Sequence, residues 1–144
     1  MIYFNKLILN SNHSVEMIID RLKQITHTGN VPFRKFNFSD KIFYGQINKD
    51  SFKIQQVWKS KNSFLLYIEG EIIVEKQTKL NLKMRLNNMS ILFSILLLII
   101  YFFGIIPQEK FIGVLLIVLQ LTITFLNYVL EFKKVFKIFT QITN

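Results

Sequence analysis

The chain has 144 residues, a formal net charge of +9 and no cysteine, and 51% of its residues are apolar. This length has room for one small domain, and the lack of cysteine excludes disulfides, thiolate metal sites and a cysteine nucleophile. The apolar residues concentrate after residue 88, whereas residues 1–85 contain 14 Lys and Arg against 7 Asp and Glu. We therefore expect a basic domain followed by an apolar region that needs a different environment.

The N-terminal region predicts a strand at residues 2–9 and an amphipathic helix at residues 14–26. Ser14 is a suitable N-cap. Apolar residues follow at helical spacing, at Val15, Ile18, Ile19, Leu22 and Ile25. His13 and His27 flank this helix without a metal-ligand spacing, so we expect both at the surface. Residues 1–14 lack the apolar run and the cleavage site of a secretory signal, and none is expected.

From about residue 41 the apolar residues recur at every second position, which is typical of half-buried strands. We predict a strand at residues 42–47 and then three more. Their inward residues are Phe52, Ile54, Gln56 and Trp58, then Phe64, Leu66, Ile68, Gly70, Ile72 and Val74, then Leu80, Leu82 and Met84. Residues 1–88 are therefore expected to form a cytoplasmic α+β domain, in which one helix packs on a small antiparallel sheet.

The charges on the outward positions predict how these strands pair. A three-residue turn at residues 76–78 gives pairs of opposite charge: Glu75 with Lys79, Glu71 with Lys83, and Glu69 with Arg85. A turn at residues 59–63 likewise pairs Lys53 with Glu69, and Trp58 with Phe64. The two neighbouring carboxylates could instead form a metal or acid–base pair. We interpret them as a solvated ladder of ion pairs.

Two uncharged runs follow, 23 residues between Arg85 and Glu109 and 20 residues between Lys110 and Glu131. A membrane span needs about 20 apolar residues, so we predict a transmembrane hairpin at residues 89–130 with spans at 89–106 and 111–130. Pro107 and the charged pair after it are expected to form the turn. The alternative is a buried helical hairpin of a soluble protein, but such helices show a charged face and these runs show none.

Basic residues on both sides of the hairpin predict its orientation. They are Lys76, Lys79, Lys83 and Arg85 before the first span, and Lys133, Lys134 and Lys137 after the second. The turn has a single lysine, which is adjacent to a glutamate. By the positive-inside rule, we expect a multi-pass protein of the bacterial inner membrane with both termini in the cytoplasm.

Each predicted span has one face of small and polar residues. The candidate contact residues are Ser90, Ser94 and Gly104 on the first span, and Gly113, Gln120, Thr124 and Asn127 on the second. Folding the hairpin is expected to place Gly104 opposite Gly113, Ser94 near Thr124, and Ser90 near Asn127. We interpret these faces as packing between the two helices. The alternative is that Gln120 and Asn127 contribute to an oligomer interface or a polar path.

Residues 131–144 predict a basic amphipathic helix that continues from the second span. Its apolar stripe consists of Phe132, Val135, Phe136 and Phe139. This helix either packs on the sheet, whose core is small for a domain of this size, or lies on the lipid headgroups. The segment VPFRKFNF at residues 31–38 is also suited to the membrane interface.

The sequence contains no motif for a phosphate-binding loop, a dinucleotide, a zinc protease or a serine hydrolase. We therefore expect a protein that is not an enzyme, has no cofactor or metal, and binds no nucleic acid, because its basic charge is explained by the membrane flanks. The expected partners are the lipid bilayer and either a protein or a second copy of this chain.

Three stretches carry a resemblance: FYGQI, KNSFLLYIEGEI and TKLNLKMRL, followed directly by the two apolar runs. This arrangement resembles a set of short uncharacterised bacterial membrane proteins with two spans and a small cytoplasmic β-rich domain. The matching positions are Phe43, Gly45, Asn62, Ser63, Phe64 and Gly70, and the likeness covers residues 40–106. The resemblance implies an architecture and no activity.

Our leading hypothesis is an integral membrane protein whose hairpin anchors a cytoplasmic domain that binds a protein partner or the anionic inner leaflet. The alternative is an immunity or accessory protein that acts through its spans on a toxin or a transporter. A membrane enzyme that uses Glu69, Glu71 or His27 is the third hypothesis.

Overall fold

The computed structural model describes residues 5–28, 41–57 and 65–144. The chain is α+β, and its elements are β1 Asn5–Ser11, α1 Val15–Ile25, β2 Thr26–Thr28, β3 Phe43–Ile47, β4 Ser51–Gln56, β5 Leu66–Val74, β6 Thr78–Leu86, α2 Asn88–Ile100, a π-helical segment Tyr101–Ile105, and α3 Lys110–Thr143. The predicted pairing of Trp58 with Phe64 and the interfacial segment at residues 31–38 lie outside the described residues.

Six strands form one sheet in the order β1-β6-β5-β4-β3-β2. The predicted strands pair antiparallel, as expected, and only β2 and β3 are parallel. The strand β2 was not predicted, because three residues directly after a helix are too few to show a period of two. Helix α1 leaves β1 at one edge and leads to β2 at the other, and therefore crosses the whole sheet.

Helix α1 forms as its sequence predicts. The Ser14 hydroxyl accepts a hydrogen bond from the Met17 amide at 3.3 Å, which caps the first turn. The buried residues Ile18, Ile19 and Leu22 face the sheet. The inward residues of β3 to β6 complete the core: Phe43, Phe52, Ile54, Leu66, Ile68, Ile72, Leu80, Leu82 and Met84. We call this side of the sheet the inner face and the opposite side the outer face.

The pairing of β4 with β5 was predicted correctly, and that of β5 with β6 was wrong by two residues. Lys53 lies opposite Glu69, as predicted. Glu69 lies opposite Lys83, however, and Arg85 lies opposite Tyr67. A shift of two residues keeps every side chain on its predicted face. The observed register also pairs Leu66 with Leu86, whereas the predicted one would place the polar Asn88 in that buried row.

A second helix also packs on the inner face, which is one of the two alternatives that the sequence left open for residues 131–144. The C-terminal part of α3 buries Val135, Phe139 and Ile142 in the core. The Phe139 ring lies 6.1 Å from the Phe43 ring and 5.8 Å from the Phe52 ring, between centroids. Phe136, which was assigned to the apolar stripe, is 38% exposed. Residues 131–144 are therefore part of the α+β core and continue the same helix as the second apolar run.

The apolar region agrees only in part with the predicted pair of spans. Within the described residues, α3 is the one helix that is long and apolar enough to cross a membrane. The other apolar helix, Ser90–Ile105, is shorter, and its last turn is π-helical. The chain reverses at residues 106–109, close to the predicted turn. We refer to residues 88–130 as the apolar helix pair.

Candidate functional site

The surface of the apolar helix pair is apolar on nearly all sides. Of the 23 large apolar side chains exposed in the described residues, 19 lie between residues 92 and 130. Only 11% of the most apolar 18-residue window of α3 is buried within the protein. A core helix of a soluble protein would have most of this surface covered, so the helix pair needs an apolar environment from outside the chain.

Helices α2 and α3 contact each other through the face that the sequence marks. The Gln120 side-chain amide donates to the Ser94 carbonyl at 3.0 Å. A groove of about 250 Å³ lies beside this bond, lined by Phe93, Ser94, Leu97, Tyr101, Leu116, Leu119, Gln120, Ile123 and Thr124. The other atom of the amide, Gln120 Oε1, is buried without a hydrogen-bond partner. This groove is therefore apolar with one unsatisfied acceptor.

The structure brings together some of the seven predicted contact residues and separates others. Ser94, Gln120 and Thr124 line the groove together. Gly104 does not face Gly113, since an added Cβ at Gly104 would meet nothing within 4 Å. A Cβ at Gly113 would instead lie 2.5 Å from Cγ1 of Ile106, so this glycine allows the turn to approach α3 closely.

The remaining two predicted residues have local roles. Asn127 donates its side-chain amide to the Ile123 carbonyl of its own helix at 2.9 Å. Ser90 is buried at the start of α2, where its backbone amide donates to the Asn87 side chain at 3.2 Å. This bond caps the first turn of α2.

A buried carboxylate connects the apolar helix pair to the sheet through a contact that was not predicted. Glu131 is 6% exposed, and its Oε2 accepts a hydrogen bond from Gln56 Nε2 at 3.0 Å. Its Oε1 forms an ion pair with Lys134 Nζ at 2.7 Å. Gln56 in turn accepts from the Leu66 amide at 2.9 Å. The polar groups at this site are matched to each other, which indicates a structural role.

The outer face of the sheet carries basic side chains, in contrast to the apolar inner face. Alternation along β1 and β6 places Lys6, Lys83 and Arg85 on this face. Lys6 lies directly opposite Lys83. Arg85 is 6% exposed, and its guanidinium lies over the Tyr67 ring, with 4.3 Å from Cζ to the centroid. Its Nη1 donates to the Asn88 side chain at 2.6 Å and to the Leu86 carbonyl at 3.3 Å.

The predicted acidic pair on β5 also lies on this outer face. Glu69 forms an ion pair with Lys53 at 3.9 Å. Burial raises the pKa of the Tyr67 phenol, and the charge of Glu69 and a hydrogen bond with it raise this pKa further, while Arg85 lowers it. Glu71 lies opposite Asn81. Within the described part of the chain, no three His, Asp or Glu side chains are grouped closely enough to hold a metal ion.

No family model, curated protein or solved structure matches this chain.

Proposed function

We propose that the chain is an integral membrane protein in which the apolar helix pair forms a transmembrane hairpin, and that its α+β domain acts by binding at the cytoplasmic surface. The observation that carries this proposal is the continuous exposed apolar surface of residues 92–130. Transfer of a single Val, Leu, Ile or Phe side chain out of water is worth about 1.5–3 kcal/mol. Nineteen such side chains left in water would make a soluble monomer prone to aggregate.

The lengths of the two helices are compatible with one bilayer. Residues 111–130 extend about 30 Å at ~1.5 Å per residue, which equals the hydrocarbon thickness. Residues 88–105 extend about 27 Å by the same measure. A span that is short by a few ångströms is accommodated by local thinning of the bilayer, at fractions of a kcal/mol per Å. The shorter α2 is therefore compatible with a span of a locally thinned bilayer.

The positions of the basic side chains support an orientation with both termini in the cytoplasm. Lys83 and Arg85 precede α2, and exposed lysines follow the apolar part of α3, whereas Lys110, the first residue of α3, is next to Glu109. The positive-inside rule then places the turn on the outer side. The domain is left on the cytoplasmic side, where it can bind a protein partner or the anionic inner leaflet.

A binding role without catalysis agrees with what the buried polar groups do. Glu131 links α3 to β4 through Gln56. The Ser11 hydroxyl donates to the Thr143 carbonyl at 2.6 Å, which links β1 to the end of α3. Arg21 on α1 donates to the Ile142 carbonyl at 2.8 Å. Each of these groups joins one element of the fold to another, which is a structural task.

The proposal is tested by cysteine accessibility, because the chain has no cysteine of its own. Gln108→Cys in the turn should react with a membrane-impermeant maleimide in intact spheroplasts. The matched control Lys49→Cys, exposed in the turn between β3 and β4, should react only after the membrane is permeabilised. Labelling of Gln108→Cys only after permeabilisation would overturn the orientation. Release of the protein by carbonate without detergent would overturn membrane insertion.

A second candidate function is supported by the groove between α2 and α3. We propose as the alternative that this groove contacts a membrane toxin or transporter, whose donor group would satisfy Gln120 Oε1. Gln120→Leu should then abolish the protective or accessory effect in cells that carry the neighbouring genes, without affecting insertion. The control is Thr122→Val, since Thr122 is exposed and bonds only to the Val118 carbonyl of its own helix. Equal effects of both variants would exclude this alternative.

A further inference from the structure

The outer face carries a group of basic residues at the end of the sheet from which α2 leaves. Lys6 on β1 lies opposite Lys83 on β6, and Arg85 follows two positions later on the same face. Strand β6 ends at Leu86 and α2 begins at Asn88. We call Lys6, Lys83 and Arg85 the basic strip.

The charge of the basic strip is poorly compensated within the described residues. The four ion pairs found there include none of its three members. Like charges directly opposite each other on neighbouring strands are destabilising. The carboxylate nearest to Lys83 in the pairing is Glu69, which is also paired with Lys53. The basic strip therefore has an excess of positive charge that an anionic partner would neutralise.

Arg85 adds a second and independent indication of an anionic partner. It is 6% exposed, yet within residues 5–28, 41–57 and 65–144 its bonds are to neutral groups only, a carbonyl, a side-chain amide and the face of Tyr67. In the same part of the chain, its buried Nε has no hydrogen-bond partner. A buried guanidinium without a carboxylate beside it is unfavourable, so Arg85 adds uncompensated positive charge below the two exposed lysines.

The fold places the basic strip next to the bilayer, if the apolar helix pair is inserted as proposed above. The last part of α3 runs along the strands of the sheet: Glu131 bonds to Gln56 at the end where β6 leads to α2, and the Thr143 carbonyl accepts from Ser11 at the opposite end. The same helix continues into the apolar pair. The strands therefore run away from the bilayer, and the end of β6 that contains Arg85 is the end nearest to the membrane. Lys6 and Lys83 lie about 7 Å farther from the bilayer than Arg85, and Lys79 lies about 20 Å farther, at ~3.3 Å per residue of strand.

We propose that the basic strip binds anionic phospholipid headgroups of the inner leaflet, with the exposed ammonium groups of Lys6 and Lys83 against the phosphates. This inference rests on the proposed membrane insertion. The headgroup layer is about 5–7 Å thick on each side of the hydrocarbon core. Arg85 is then within the layer, and Lys6 and Lys83 are at its surface. Lys79 is more than a Debye length of about 8 Å away and contributes little.

The test uses the full chain in a neutral detergent, titrated with short-chain lipids. The probes are dioctanoyl phosphatidylglycerol, dioctanoyl phosphatidylcholine and inorganic phosphate. Phosphatidylglycerol should bind most tightly. The double variant K6Q/K83Q should weaken it about 25-fold, since a basic residue at an anionic surface contributes about fivefold. The matched control K76Q/K79Q removes the same charge at the far end of the strand and should change the affinity less than twofold.

Several outcomes would overturn the inference. Equal effects of K6Q/K83Q and K76Q/K79Q would show that the position of the charge is irrelevant. Equal affinity for inorganic phosphate would assign the site to a free anion. Tighter binding of a poly-glutamate peptide than of the lipid would assign it to an acidic protein. Lys6 and Lys83 are exposed, so their loss does not threaten folding, whereas Arg85 is buried and is left unchanged in both variants.

The failure of this inference can be distinguished from failure of the proposed function. The cysteine at position 108 is labelled in the same K6Q/K83Q and K76Q/K79Q backgrounds. If the cysteine is labelled from outside in both double variants and the two bind lipid equally well, the basic strip is not a lipid site, but the membrane hairpin still stands. Labelling of position 108 only after the membrane is permeabilised would contradict the hairpin orientation, on which the proposed function and the lipid site both depend.

Discussion

Phe139 is the residue that fixes the end of α3 to the sheet. Its ring is fully buried and stacks on Phe52 at an interplanar angle of 10°. We expect Phe139→Ala to lower the free energy of unfolding by about 3–5 kcal/mol, because it leaves a cavity between α3 and two strands. The matched control is Phe136→Ala, three residues earlier in the same helix and 38% exposed, whose effect should be clearly smaller.

This comparison is measured as the unfolding transition of the full chain in detergent, followed by near-ultraviolet circular dichroism. Equal losses of stability in the two variants would contradict the packing of α3 on the inner face. The sequence could not separate these residues, since Phe132, Val135, Phe136 and Phe139 lie on one broad stripe. In the structure, the residues of this helix that face the core are Val135, Phe139 and Ile142. Which side of the stripe is buried depends on where the sheet lies, and the sequence of the helix alone does not show this.

Tyr67 should make stability depend on alkaline pH. Its pKa is raised above 10.0 in the folded state, first by burial and then by Glu69. The unfolded chain therefore loses this proton first as pH rises, so the contribution is complete below pH 10 and is lost as pH passes through the folded pKa. We expect the melting temperature of the wild type to fall more steeply above pH 10 than that of Tyr67→Phe.

The control for this titration is the same pair of proteins at pH 7 to 9, where the difference between their melting temperatures should be constant. Lysines also titrate above pH 10, but they are present in both proteins and cancel in the difference. A difference that is independent of pH up to 11 would contradict the raised pKa of Tyr67.

At the scale of elements, the register of β5 and β6 is the clearest point to test. Glu71 lies opposite Asn81 in the structure, whereas alternation of charge predicted Lys83 as its partner. Directly opposed residues have Cα atoms about 4.5–5.5 Å apart, within the range of a disulfide. We expect E71C/N81C to form a disulfide on mild oxidation of the purified chain, and E71C/K83C to remain mostly reduced. The reverse result would restore the predicted register.

The sequence predicted which side chains face inward more reliably than it predicted their partners. Period-two alternation correctly placed Leu66, Ile68, Leu80 and Leu82 in the core, because one face of each strand is buried and the pattern records this directly. A shift by two residues preserves that pattern. The register therefore depends on which residues form the turn and on excluding Asn88 from the buried row, which periodicity does not encode.

The candidate contacts in the apolar helix pair were predicted in part for a similar reason. Small and polar residues on apolar helices indicated Ser94, Gln120 and Thr124, which do line one groove. The expected contact of Gly104 with Gly113 assumed ideal α-helix up to the proline. The π-helical segment Tyr101–Ile105 changes the rotation of that last turn, and Ile106 takes the place opposite Gly113.

The bond between Glu131 and Gln56 could not be predicted from the residue pattern of either segment alone. The two residues are 75 positions apart, and each has an ordinary explanation in its own segment. Gln56 is nevertheless a polar residue at an inward position of β4, which is the signal that a buried partner is required. At the scale of the whole molecule, this bond lies where the apolar helix pair meets the sheet.

The α+β domain and the apolar helix pair share α3, and the β6–α2 connection is a single residue long. Neither connection is long enough to let the helix pair rotate relative to the sheet.

One alanine inserted after Glu131 turns the rest of α3 by about 100°, which removes Val135 and Phe139 from the core. We expect several kcal/mol of lost stability, of the order found for large-to-small core changes, and a lower melting temperature. The same insertion after Gln108, in the exposed turn, should leave the melting temperature nearly unchanged. Comparable losses from both insertions would mean that the two parts of the molecule are coupled through the bilayer or a partner and not through α3.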